Sequence, residues 1–229
     1  MAEQISELVD ESQGLYFDSG DCIKTGNLGI PLKEDPVWEL LEIADCSASV
    51  PGNRESHILR SVFEAKISGH RHPLLCANMR ERGGELVLPK TLLEDYDGKL
   101  KIGVFGVMVP MVTAKMKTQA ASAFLWDPPI EAAIEVVKEL HQKCDLLIAL
   151  THIGIAQDRE LAARCPEIDI ILGGHSHTFL EQPERIGSTW ICQGGSHGRY
   201  VGRYVWEKGK GIVEAELIPL NSPTVESAK

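Results

Sequence analysis

The chain lacks any run approaching the ~20 consecutive apolar residues of a membrane-spanning helix, so no membrane segment and no membrane partner is expected. It lacks a C-x-x-C pair. Cys22, Cys46, Cys76, Cys144, Cys165 and Cys192 are scattered, and four of them lie in or beside apolar runs. That distribution reads as buried, reduced thiols in a reducing compartment. It lacks a basic excess: the formal net charge is -10, which argues against non-specific nucleic-acid binding. The acidic start, Met1 to Glu7, has neither the basic nor the apolar region of a signal peptide, so the chain as it stands reads as cytoplasmic. Internal repeats and low-complexity segments are also missing. What is present is an ordinary apolar content of 43% over 229 residues. This suits one α/β domain over residues 1–219, with residues 220–229 as a polar, frayed tail.

Periodicity places the elements. Residues 2–13 are expected to form an amphipathic helix, and Gly14-Leu15-Tyr16-Phe17 a strand that leads into Asp18-Ser19-Gly20-Asp21. Asp35-Pro36 starts a helix over 36–45. A short strand, Ala48-Ser49-Val50, runs into Pro51-Gly52-Asn53, and a helix is predicted over 54–67, stopped by Gly69. Residues 73–78 read as a buried strand. Asp97-Gly98 marks a hairpin within 85–109, and 110–126 reads as a long loop. A helix follows Asp127-Pro128, with Ile130, Ala133, Ile134, Val137 and Leu140 at i, i+3, i+4, i+7 spacing. The strand Asp145 to Leu150 ends in Thr151-His152, and a helix near 157–164 leads to the strand Ile168 to Leu172. Residues 189–219 read as all β. The order is βα units first and an antiparallel β tail last, which suits two packed β-sheets with helices outside.

The strand ends carry the chemistry. Gly173-Gly174-His175-Ser176-His177-Thr178 follows an apolar strand, and residues at such carboxyl ends converge on the site face of an α/β sheet. Other strands end in Gly20-Asp21, Gly52-Asn53 and Thr151-His152. Each residue alone has a plain alternative: Asp21 as a loop cap, Asn53 as a helix N-cap, the histidines as solvated turn residues. Five oxygen and nitrogen donors at successive strand ends are better explained by a metal site. Carboxylate, amide and imidazole without thiolate suit Mn, Fe or Zn, with Mg a further option, and do not suit a structural cysteine-rich zinc site.

These segments resemble the calcineurin-like metallophosphoesterase superfamily, and within it the catalytic domain of the 5′-nucleotidase/UDP-sugar hydrolase family. The residues that carry the resemblance are Gly20-Asp21, Gly52-Asn53-Arg54-Glu55, His152 and Gly173-Gly174-His175-Ser176-His177. Cys76-Ala77-Asn78, Thr151 to Gly154 and Gly195 to Gly202 support it. The resemblance implies a four-layer α/β/β/α sandwich with two mixed β-sheets. It implies two divalent metal ions, with Asp21 as the bridging carboxylate. Asn53, His152 and His175 would complete one metal site, and His177 would serve the other. Two such ions generate hydroxide at neutral pH and stabilise an in-line displacement at phosphorus.

Two departures from the family pattern stand out. The family's Asp-x-His motif on its first strand occurs nowhere here, so a strand and two ligands of the second metal are expected to be missing and that site incomplete. A chain folded without that strand is expected to be less stable or to self-associate. The histidine of the family's Gly-Asn-His-Glu is Arg54, which binds phosphate bidentately but cannot donate a proton. His57, one helical turn further on, is the candidate replacement, with a surface histidine as the plain alternative. The resemblance implies a phosphoesterase acting on a phosphomonoester or small phosphodiester, a nucleotide among the candidates. Asn53, His197 and Arg199 would bind the substrate, and Arg54 and His57 would be the catalytic groups. A degenerate metal- or phosphate-binding scaffold is the alternative. The base-clamping second domain of the family has no counterpart here, so nucleotide specificity is not implied.

Overall fold

The computed structural model describes residues 1–113 and 115–220. In chain order the elements are α1 (Ala2–Ser12), β1 (Tyr16–Asp18), α2 (Val37–Ile43), β2 (Cys46–Ser49), α3 (Arg60–Ile67), β3 (Met79–Glu81), β4 (Thr91–Tyr96), β5 (Leu100–Met108), β6 (Phe124–Trp126), α4 (Pro129–Leu140), β7 (Leu146–His152), α5 (Ile155–Arg164), β8 (Ile170–Gly173), β9 (Glu184–Ile186), β10 (Thr189–Cys192), β11 (Tyr200–Glu207) and β12 (Gly211–Pro219).

The organising element is a six-stranded sheet in the order β4-β5-β7-β8-β10-β9. Its four central strands run parallel, and the two edge strands are antiparallel to their neighbours. Every residue of β7 is buried, as a strand covered on both faces must be. Leu147 and Ala149 face one core, with Ile130, Ala133 and Val137 of α4 and Leu161 of α5. Leu146, Ile148 and Leu150 face the other, with Trp38 of α2, Ala48 of β2, Phe63 of α3 and, at its margin, Tyr204 and Trp206 of β11. Helices outside, a large mixed sheet, and a second β layer thus follow the expected mixed α/β sandwich. The second layer is in pieces: β1 pairs with β2 in parallel, and β11 with β12 in an antiparallel ribbon. A further short antiparallel pair is β3 with β6.

Three expectations need correction. Residues 54–59 are turns, and α3 starts only at Arg60, because the polar groups of this stretch are claimed by Asp21, Glu55 and Lys66 rather than by a helical ladder. His57 is therefore not one helical turn from Arg54. Residues 73–78 form no continuous strand. Their N–H groups are divided among separate partners: Leu75 donates to Ser49, Cys76 to Pro89 and Ala77 to Gly106. The loop 110–126 contains a 3-10 turn at Lys117–Ala121 and strand β6. Leu220 is buried with Ala2, Ile5 and Ala44, and the rest of the expected polar tail, 221–229, lies outside the described residues. Among the described residues no helix is long and apolar enough to cross a membrane.

Gly106 in β5 lies against the carbonyl of Leu75, where an added Cβ would collide with backbone. Gly106→Ala is expected to destabilise the fold by about 1–3 kcal/mol, the cost of overpacking a tight interior. Urea unfolding checks this, and an unchanged midpoint would contradict the backbone contact.

Candidate metal and phosphate site

The carboxyl ends of β1, β2, β7 and β8 meet at one rim. The chain leaving β1 must pass very close to the chain leaving β2. A Cβ at Gly20 would stand 2.6 Å from both the Gly52 nitrogen and the Val50 oxygen, and Gly20 also has φ +85°. That close approach sets Asp21 beside Gly52-Asn53. Asp21 itself is in the left-handed region at φ 62°, which aspartate tolerates better than most residues.

Glu55 fastens the two loops together. Its carboxylate accepts the N–H of Gly52 (2.8 Å), of Asp21 (2.8 Å) and of Ile23 (3.0 Å). The Gly52 bond, from a Glu three residues on, has the reach of a capping box. In return, Asp21 Oδ1 accepts the N–H of Arg54 at 2.7 Å. Desolvation pushes the Asp21 carboxyl up, but the hydrogen bond and charge of His152, with Arg54, hold it below its usual value.

His152 closes the third side from the end of β7. It is buried, and Nδ1 donates to the Ser19 carbonyl at 2.7 Å. This bond commits Nδ1 as the protonated nitrogen, so the Nε2 of a neutral ring is a lone pair. Nε2 faces two oxygens: Asn53 Oδ1 at 3.2 Å and Asp21 Oδ2 at 3.5 Å. Desolvation lowers the His152 pKa, but Asp21 and the Ser19 carbonyl outweigh it, and the net shift is upward. His175, at φ 73°, brings Nδ1 to 2.9 Å from the same Asn53 oxygen. Burial, then the neighbouring His152, lowers its pKa. Asn53 Nδ2 donates to Asn27 Oδ1 at 2.8 Å, which fixes the amide with its oxygen toward the histidines.

Four donor atoms thus follow one another in contact: Asp21 Oδ2, His152 Nε2, Asn53 Oδ1 and His175 Nδ1. In the absence of a proton, they present lone pairs to one another, an arrangement that calls for a cation. Three separations among them, 2.9, 3.2 and 3.5 Å, fall in the range of neighbouring ligands around an ion with bonds of about 2.0–2.2 Å. The outward Nδ1–H bond to a backbone carbonyl is the usual support of a metal-bound histidine. Asp21, Asn53, His152 and His175 are the donor set that this rim could offer a divalent ion, with the Asn53 amide oxygen in contact with both histidines. Among the described residues no group of three or more His, Cys, Asp or Glu side chains is placed to hold a metal ion by itself.

The other candidates stand elsewhere. His177 (φ 55°) turns away from this group, its ring 5.8 Å from that of His197. It lines an open cavity of about 280 Å³ with Phe179, Gly195, Ser196, Arg199 and Tyr200. Arg54 is folded back, with Nη1 donating to the Ile23 carbonyl at 3.2 Å. His57 is buried, and its Nδ1 accepts the Leu59 N–H at 3.0 Å. Sequence reasoning missed the supports: Glu55, Asn27, Lys66 and Asp158. Only Glu55 had a readable signal, the three-residue spacing from Gly52.

Asp158 of α5 lies buried behind the His175 turn. It accepts Thr151 Oγ1 at 2.6 Å and Gln193 Nε2 at 2.7 Å, and Gln193 in turn accepts Ser176 Oγ at 3.1 Å. Burial pushes its pKa up to about 7.

No protein-family model matches the chain. The trifunctional nucleotide phosphoesterase YfkN of Bacillus subtilis is 31% identical over 147 residues, covering 59% of this chain and 10% of that protein. The calcineurin-like phosphoesterase structure of YfkN superposes with a TM-score of 0.71 and 20% identity, covering 95% of this chain and 80% of that one. The sulfate thiohydrolase SoxB of Thermus thermophilus superposes at 0.81 with 22% identity, over 95% of this chain and 42% of its own. A 5′-nucleotidase precursor, also from Thermus thermophilus, reaches 0.75 with 19% identity, over 96% and 48%. By fold and by its relatives, the chain is a domain of the calcineurin-like metallophosphoesterase class, a hydrolase family. Within that class its relatives are the 5′-nucleotidase-like proteins. The chain spans between 10% and 46% of the length of the first curated relatives it matches.

The buried Asp158 carries a pH signature. A carboxyl with a folded-state pKa near 7 keeps its proton while the unfolded chain, near 4, has lost it. Its contribution to stability therefore falls as pH rises from about 4 to 7 and then stays level. Asp158→Asn removes that fall, so the variant is expected to gain on the wild type between pH 5 and pH 8 in urea unfolding. A constant difference across that range would show that the carboxyl ionises normally.

Proposed function

We propose that this domain hydrolyses a phosphomonoester or small phosphodiester with divalent cations held at the rim of the sheet. The contacts of His152 Nε2 and His175 Nδ1 with the Asn53 amide oxygen, and of Asp21 Oδ2 with His152 Nε2, carry this reading. The class as a whole implies divalent metal cofactors. Bound there, the ions would polarise the phosphoryl oxygens and activate the attacking water. Asp21, Asn53, His152 and His175 hold the first ion in this reading, and His177, beside His197 at the open cavity, would serve a second.

The remaining residues bind and orient. Arg54 lies on the same turn as Asn53 and supplies a permanent positive charge for the phosphate. His197 and Arg199 flank His177 on the open side, where a substrate's leaving group would enter. His57, with its ring buried and Nδ1 engaged, is assigned to the turn rather than to proton transfer. A small phosphorylated compound is the substrate class, and a nucleotide is supported by the names of the relatives. A reducing, cytoplasmic setting is supported by the six unpaired cysteines.

Arg54, which is always charged and cannot donate a proton, favours a second reading, a metal- or phosphate-binding domain without turnover. The two part on one experiment. The purified chain is loaded with Mn²⁺, its bound metal counted by elemental analysis, and its turnover measured on p-nitrophenyl phosphate and adenosine 5′-monophosphate. The hydrolase reading expects turnover, and a loss of about a hundredfold or more in kcat/KM for Asp21→Ala and for His175→Ala, at the upper range seen for disturbed metal sites. Wild-type rates in either variant would rule out the mechanism. One metal per chain and no turnover would establish the binding-only domain.

A further inference from the structure

Lys66 of α3 is almost wholly buried, and among the described residues no side-chain carboxylate forms an ion pair with it. Its Nζ lies instead among four backbone carbonyl oxygens: Gly26 at 3.0 Å, Asn27 at 3.0 Å, Arg54 at 2.6 Å and Ser56 at 3.2 Å. An ammonium has three N–H groups, so four oxygens cannot each take one donor. They share a compact point charge, much as carbonyls share a bound monovalent cation. Four carbonyl dipoles aimed at one point repel one another, so without the charge this cluster would open.

The four carbonyls belong to the two loops that build the candidate site. Gly26 and Asn27 follow Asp21, while Arg54 and Ser56 follow Asn53. Asn27 is also the residue whose side-chain oxygen takes the Asn53 amide N–H at 2.8 Å and thereby turns the Asn53 oxygen toward His152 and His175. A continuous line of contacts runs from the Lys66 ammonium to the Asn27 backbone, to the Asn27 side chain, to the Asn53 oxygen.

We propose that Lys66 is a positioning residue of this site: its ammonium acts as an internal cation that holds the two loops in register and, through Asn27, sets the facing of the Asn53 amide. The inference rests on the reading of Asp21, Asn53, His152 and His175 as ligands of a divalent ion. Supports of this kind change metal affinity by about 10–100-fold.

The test is Mn²⁺ titration by calorimetry of the wild type, Lys66→Ala and Asn27→Ala, in sodium, methylammonium and tetramethylammonium chloride at equal ionic strength. Wild type that binds no Mn²⁺ would overturn the metal-site reading itself, and with it this one. Given wild-type binding, Lys66→Ala is expected to bind Mn²⁺ about tenfold or more weakly. Methylammonium, which can enter the carbonyl cluster and donate, is expected to restore affinity, and tetramethylammonium is not. Equal affinity of Lys66→Ala and wild type, or equal effects of the two ammonium salts, would overturn the proposal. Asn27 is exposed, so Asn27→Ala keeps the test standing should Lys66→Ala not fold. Weaker Mn²⁺ binding by Asn27→Ala at an unchanged melting temperature supports the relay, and wild-type affinity overturns it.

Discussion

The rim of this molecule depends on a single carboxylate. Glu55 accepts three backbone N–H groups from two loops that leave neighbouring strands. Those groups lie where the chain is too crowded for regular secondary structure, and buried amides without partners are costly. An ionised acceptor satisfies them with charge-assisted bonds, which are stronger than neutral ones. Once Glu55 has fastened Gly52 to Asp21, the positions of Asn53 and Arg54 follow, because Asp21 takes the Arg54 N–H. Lys66 stands on the other side of the same turn with the opposite charge and closes it from the carbonyl side. Donors and acceptors of the turn are thus satisfied by a fixed anion and a fixed cation, independently of any ligand.

This division of labour separates the two histidine positions that face Asn53. His152 comes from a fully buried central strand, and its ring is held by a backbone carbonyl. His175 comes from an exposed turn in the left-handed region and is held at Nδ1 by Asn53. The half of the site built on β1, β2 and β7 is held by the burial of β7 and by the Glu55 and Ser19 backbone bonds. The half built on the turn after β8 relies on Ser176, Gln193 and Asp158 behind it. His177 belongs to a third neighbourhood, with His197 and the open cavity.

The strongly periodic segments were legible in the sequence. β7, α4, α5 and the hairpin around Asp97-Gly98 lie within a residue or two of their expected places, since each buries a face that its own apolar pattern defines. The donors at the strand ends were legible for a related reason: a polar residue directly after an apolar strand has few places to go. Residues 54–59 were misread because their helical appearance is local, whereas their backbone partners, Asp21 and Lys66, lie 33 and 12 positions away. Lys66 itself was invisible for the same cause. In sequence it is one more charged residue on a helix, and only its distant carbonyl partners distinguish it from a solvated one. The turn at His175-Ser176-His177 showed its residue types but not its backbone, so nothing in the spacing foretold that the two imidazoles would face different neighbourhoods.

The contacts that assemble this rim span great distances along the chain. Ser19 bonds to Leu172 across 153 positions, His152 to Ser19 across 133, and His175 to Asn53 across 122. No early fragment of the folding chain can contain the rim, because closing such loops costs entropy that only a finished core repays. The donor cluster therefore comes into being with the native state and is lost with it. A cation that gathers there binds the folded chain and not the unfolded one, so its concentration sets the balance between the two. In the proposed reading, the distance between Ser19 and Leu172 would make the supply of metal in the surroundings a determinant of how much of this protein is folded.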